Sequence, residues 1–169
     1  MTLTLIILAF VTLERLAELW LARRNTAALM AKGAFEVAPR HYVLIVVLHG
    51  LWIVGLWWFG WNKPLNLGWL ALFLVLQALR IWVLATLGER WTTRIIILPN
   101  AKLVTGGPYR YLNHPNYAVV IGEIAVLPLA LGLPVYALIF SVANAALLTL
   151  RIREESAALS DLRHASLKP

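Results

Sequence analysis

Long apolar runs alternate with short polar segments along the whole chain. The runs fall at about 3–22, 41–61, 67–87, 116–132 and 134–150. Each is close to the roughly 17–25 residues that a helix needs to cross a bilayer. The pattern predicts an all-α integral membrane protein with about five transmembrane helices, because a spanning helix satisfies its own backbone groups. The last two runs are separated only by Gly132-Leu133-Pro134, which predicts a tight helical hairpin with Pro134 in the first turn of its second arm. The link 62–66 is also short, so the second and third helices are expected to be antiparallel neighbours. We read 1–169 as one membrane domain, with a three-helix part at 1–87 and a polar segment, hairpin and tail helix at 88–169.

Composition sharpens this picture. The chain has 169 residues, 61% of them hydrophobic, with a mean hydropathy of +0.77. There is no cysteine, which excludes disulfides, thiolate metal sites and cysteine nucleophiles. The formal net charge is +7, but the basic residues lie in connections and do not form a groove-tracking patch, so no nucleic-acid partner is expected. Loop 23–40 holds Arg23, Arg24, Lys32 and Arg40; segment 88–115 holds Arg90, Arg94, Lys102 and Arg110; the tail holds Arg151, Arg153, Arg163 and Lys168. Lys63 alone lies in the connections of the other side. The positive-inside rule then puts the N-terminus outside and the C-terminus in the cytoplasm. Trp52, Trp57, Trp58, Trp61 and Trp69 bracket the 62–66 turn and read as an interfacial belt.

Against this apolar background, Gly106-Gly107-Pro108-Tyr109-Arg110-Tyr111-Leu112-Asn113-His114-Pro115-Asn116-Tyr117 stands out. The glycines and Pro108 permit a sharp turn that can approach a ligand closely. His114 adds a ring donor or acceptor, and Tyr109, Tyr111 and Tyr117 add flat faces that attract a ligand cation. The competing reading is an interfacial turn with anchoring aromatics. Upstream, Arg94 to Pro99 reads as a short strand or an interfacial strip. On the last helix, Ser141, Asn144, Leu148, Arg151 and Glu155 are spaced 3, 4, 3, 4 and share one face. Arg151 and Glu155 form an i,i+4 pair, and Asn144 is a polar group inside a span. Glu14, Arg15 and Glu18 in the first run, Arg80 in the third and Glu123 in the fourth are intramembrane charges. Such residues either serve function or pair with one another, for example Arg80 with Glu123 or Glu14. The histidines lack acidic neighbours at ligand spacing, so no metal site is expected.

The stretch Gly107 to Tyr117, followed by Arg151-Ile152-Arg153-Glu154-Glu155 and Leu159, resembles the isoprenylcysteine carboxyl methyltransferase family. That family's pattern is approximately G-x-Y-x-x-x-R-H-P-x-Y, a helical hairpin, then R-x-x-E-E-x-x-x-L. Its Arg before His-Pro is Asn113 here, and its Gly two places after the Tyr is Val119. The resemblance implies a membrane methyltransferase that uses S-adenosylmethionine and releases S-adenosylhomocysteine. It places the cofactor over Gly107, Tyr109, Tyr111, His114, Pro115 and Tyr117, with Glu154 or Glu155 closing the pocket and Arg151 and Glu155 at the reaction centre. A lipophilic acceptor would arrive from the bilayer, with Asn144, Glu123 and Arg80 as candidate substrate contacts. Glu14 to Leu19 and Arg24-Asn25 resemble a bacterial branch that includes alkylpyrone and alkylresorcinol O-methyltransferases. A different function class, a small proton-coupled transporter working through Glu14 or Glu123, is the alternative.

Overall fold

The computed structural model describes residues 2–99 and 101–166; the side chains of residues 40, 41, 156 and 158–166 are not described. Lys168 therefore lies outside the described residues, and Leu159 and Arg163 are described only as helix backbone. The protein is an all-α membrane protein of five helices: α1 (Thr2–Ala31), α2 (Pro39–Gly60), α3 (Leu67–Leu87), α4 (Pro115–Ala130) and α5 (Pro134–Ser166). Residues 42–60, 67–90 and 134–155 are long and apolar enough to cross a membrane, and α4 is a shorter apolar helix. Their outer faces, with Val43, Leu74, Ile81, Ile139 and Val142, are exposed, as lipid-facing surfaces are.

Two helices outrun the apolar pattern. The apolar run that begins α1 stops near residue 22, yet the helix continues to Ala31. Its buried residues Leu8, Val11, Glu18, Ala22, Asn25 and Leu29 form one continuous face, and that packing carries the helix through Arg23 and Arg24. Similarly, α5 continues beyond residue 150 to Ser166. At about 1.5 Å per residue each is longer than the roughly 30 Å of hydrocarbon.

The α4–α5 hairpin forms as its sequence predicts. Gly132 has φ 67°, and the backbone N–H groups of Leu133 and Gly132 donate to the carbonyls of Pro128 (2.9 Å) and Leu129 (3.0 Å). This paired pattern stops α4 at a left-handed glycine, and Pro134 opens α5.

Among the described residues α2 and α3 are not one of the main helix pairs, although Trp52 and Leu56 of α2 share the core with Leu70 and Phe73 of α3. α3 packs on α4, α4 on α5, and α5 on α2. The hairpin tip is the physical cause. Leu131 lies against Gly60, and the Asn66 N–H donates to the Ala130 carbonyl at 2.8 Å. Asn66 also caps α3 through the N–H groups of Gly68 and Trp69. The tryptophan belt needs one correction as well. Trp58, Trp61 and Trp69 are exposed, but Trp52 is buried in the core with Leu8, Phe73 and Leu127. There Tyr136 lies over Gly55 and donates its hydroxyl to the Trp52 carbonyl at 2.8 Å.

Four of the five intramembrane charges pair, and Glu14 makes no ion pair among the described residues. Arg80 on α3 donates through Nε to Glu123 of α4 (2.7 Å) and through Nη1 to Glu18 of α1 (2.8 Å), and its Nη2 also meets Glu123. Arg15 bridges Glu18 and Glu123, each at 2.6 Å, and Gln77 donates to Glu123 at 3.1 Å. The Arg80–Glu123 pair matches the structural expectation; Arg80's second carboxylate is Glu18 rather than Glu14.

A two-stranded antiparallel sheet was only half foreseen. β2 (Ile95–Ile97) is the strand read at 94–99, and its partner is β1 (Phe35–Val37), with Val37 opposite Ile95. Three residues between α1 and α2 carry too little alternation to announce a strand.

Candidate functional site

Segment 88–114 holds one turn in place after another. Asn25 of α1 donates to the carbonyls of Gly88 (3.1 Å) and Trp91 (2.8 Å), which fixes the exit from α3. Trp91 then packs with Ala22 and Val83, and Tyr109 borders that cluster. Gly107 has φ 54°, and a Cβ there would lie 2.4 Å from Thr86 Oγ1. The turn Gly107–Arg110 thus sits directly on the end of α3, which explains the glycine. His114 precedes Pro115, the first residue of α4.

These elements enclose a cavity of about 960 Å³. That is within the roughly 300–1,000 Å³ of small-molecule and cofactor sites. Leu29, Leu87, Ile95, Ile97 and Leu103 give it an apolar side, and Tyr109, His114, Tyr117, Arg151 and Glu155 give it a polar one. At the polar end the Tyr117 hydroxyl donates to Glu155 Oε2 at 2.6 Å and accepts from Arg151 Nε at 2.9 Å. Arg151 Nη1 donates to the Thr93 carbonyl at 2.7 Å. The His114 ring stacks on Tyr117 with centroids 5.2 Å apart, and its Nδ1 lies 4.0 Å from Glu155 Oε2. Burial, with the nearby Glu155 charge adding to it, pushes the Tyr109 hydroxyl up to about 12, so this phenol is neutral at ordinary pH.

The structure thus brings together five of the residues singled out in the sequence: Tyr109, His114, Tyr117, Arg151 and Glu155. Arg151 and Glu155 do not pair with each other directly; the Tyr117 hydroxyl stands between them. The other candidates lie elsewhere. Tyr111 is 74% exposed and points away from the core. Gly107 and Pro115 shape the turn and the start of α4 without lining the cavity, and Glu154, expected to close the pocket, is half-buried and does not line it either. Asn144 is buried on the same face of α5 as Leu148 and Arg151, and its Nδ2 has no partner among the described residues. Arg80 and Glu123 belong to the ion-pair network and do not line the cavity. Sequence reasoning missed the Thr93 carbonyl, because a backbone acceptor has no residue signature, and missed Trp91 on the cavity wall.

Fold and site together define a membrane-embedded helical protein with a cavity built from a turn, a short hairpin and the end of a long helix. The model of the isoprenylcysteine carboxyl methyltransferase family matches residues 69–161, which contain the cavity's entire polar side. The chain belongs to that family, and its activity is of the methyltransferase type. It is 37% identical over 169 residues to the uncharacterized protein YpbQ of Bacillus subtilis (strain 168), covering 92% of this chain and 96% of that one. It is also 29% identical over 167 residues to an uncharacterized protein of Haemophilus influenzae, covering 88% and 90% respectively. No solved structure matches significantly.

Proposed function

We propose that the protein is an S-adenosylmethionine-dependent O-methyltransferase acting on a lipophilic acceptor at the cytoplasmic face of a bacterial inner membrane. The observation that carries this reading is the Arg151–Tyr117–Glu155 cluster, which forms where two motifs 34 and more residues apart meet on a cofactor-sized cavity. The residues suit the cofactor. A sulfonium is a cation, and the cavity offers it stacked aromatic faces at His114 and Tyr117. Tyr109 adds a further neutral aromatic wall. When bound, the cofactor supplies an electrophilic methyl group, and the chain supplies alignment, which can be worth several kcal/mol. The twelve basic residues of the 23–40, 88–115 and tail segments, against Lys63, support the cytoplasmic placement of the cavity.

The acceptor oxygen takes the methyl group and the sulfonium becomes a thioether. A carboxylate acceptor needs only to be oriented, which Arg151 can do. A phenolic lipid, such as an alkylresorcinol-type acceptor, must also lose its proton (pKa about 10). Glu155 is the cavity carboxylate placed to receive it. Methyl transfer from labelled cofactor to each acceptor class tests this. With a phenolic lipid, Glu155→Gln should lower kcat by about 100-fold or more while changing cofactor affinity far less. Unchanged turnover of that variant on a phenol would remove Glu155 as the base. Of the two carboxylates of the transporter reading, Glu123 is ion-paired to Arg15 and Arg80, and Glu14 makes no ion pair among the described residues.

A further inference from the structure

The network around Arg151 runs past the motif residues into the first quarter of the chain. Arg151 is 8% exposed, and no carboxylate lies within 4.0 Å of its guanidinium among the described residues. Its orientation rests on two neutral acceptors, the Tyr117 hydroxyl and the Thr93 carbonyl. Tyr117 is on a helix, but Thr93 lies in the irregular stretch between the 88–90 turn and β2. A carbonyl in such a stretch is only as fixed as its flanks.

Those flanks are fastened to residues 35–42. Arg94 Nη1 pairs with Glu36 Oε2 at 2.7 Å, and the Arg94 guanidinium lies 4.4 Å from the centroid of the Tyr42 ring. Ile95 pairs with Val37 across the sheet, and β1 also touches α5. Thr93 Oγ1 approaches the Tyr42 hydroxyl at 3.4 Å. Glu36 and Tyr42 lie outside the family match at 69–161. As stability devices these contacts are weak. The ion-pair side chains are 39% and 20% exposed, and a pair so open to solvent adds little to stability. A stacked cation at a partly exposed site adds about as much. As positional devices they are stronger, since a 1 Å misplacement of a reacting group can cost about 100-fold in rate.

We propose that Glu36, Tyr42 and Arg94 are positioning residues that hold the Thr93 carbonyl, and through it Arg151, in the geometry the reaction needs. The proposal rests on the reading that Arg151 serves in methyl transfer. Full-length protein in lipid nanodiscs tests it. Glu36→Gln and Tyr42→Leu should each lower kcat about tenfold, with the thermal midpoint within about 3 °C of wild type. A lysine at 151 cannot reach both acceptors as the guanidinium fork does, so Glu36→Gln should cost almost nothing further in an Arg151→Lys background. Multiplying losses in the double variant, or a kcat loss that tracks a lowered midpoint, would overturn the positioning role. A second readout needs no turnover. The Arg151 Nε–H resonance, assigned by its disappearance in Arg151→Lys, should shift and exchange faster with water in Glu36→Gln. An unmoved resonance overturns the proposal. A moved resonance in a wild-type protein that transfers no methyl group would instead overturn the functional reading and leave the positioning intact.

Discussion

A single hydroxyl links the two motifs of the site. Tyr117 donates to Glu155 and accepts from Arg151, so it keeps a cation and a carboxylate four residues apart on α5 from closing on each other. Their direct pair would be the ordinary outcome of that helical spacing. Held apart, each can present its charge to a ligand. Hydrogen bonds to charged groups are worth about 1.5–3 kcal/mol, which is roughly 10- to 100-fold in rate. Tyr117→Phe removes both bonds while keeping the ring that stacks on His114. It should lower kcat/KM of methyl transfer by about that factor, measured on a folded protein of unchanged helical content. Wild-type kinetics in that variant would mean that the bridge has no catalytic part. The residue types were legible in the sequence, because histidine, tyrosine and arginine at the edges of apolar runs need a reason. The bridge was not, since the i,i+4 spacing of Arg151 and Glu155 suggests contact and only the fold inserts Tyr117 between them.

The turn at Gly107 shows how an element sets a site it does not line. Its backbone has φ 54° and packs on Thr86 with no room for a side chain. Left-handed backbone costs about 1–2 kcal/mol for an ordinary residue, and the close contact adds to that. Gly107→Ala should therefore shift Tyr109 and His114 and weaken binding of S-adenosylhomocysteine several-fold by calorimetry. Gly106→Ala is the control, because nothing lies within 4 Å of a Cβ there and its φ of −87° suits alanine. Equal affinities in the two variants would contradict the role given to the turn. Elements as such were well marked in the sequence. The hairpin was written in Gly132 and Pro134, and the apolar runs located all five helices. What stayed hidden depends on tertiary packing: the extension of α1 on its Asn25 face, the strand Phe35–Val37, and the hairpin tip that meets the end of α2 and the start of α3.

Across the whole molecule, two polar systems sit at different places in one helical frame. The cavity is the candidate reaction centre, and the Arg15–Glu18–Arg80–Glu123 network joins α1, α3 and α4. α4 belongs to both, with Tyr117 near its start and Glu123 six residues on. Removing one partner of a buried ion network typically costs about 3–5 kcal/mol. Glu123→Gln should thus lower the thermal midpoint of detergent-solubilised protein by roughly 10 °C. Proton flux in vesicles that Glu123→Gln abolishes without destabilising the protein would speak for transport instead. The central claim is that the cavity takes the methyl donor. Titration of the purified wild-type protein with S-adenosylmethionine by calorimetry tests it most directly. Binding should be saturable and one-to-one, weakened only modestly by Glu155→Gln and more by Gly107→Ala. A folded wild-type protein that takes up no S-adenosylmethionine would contradict it.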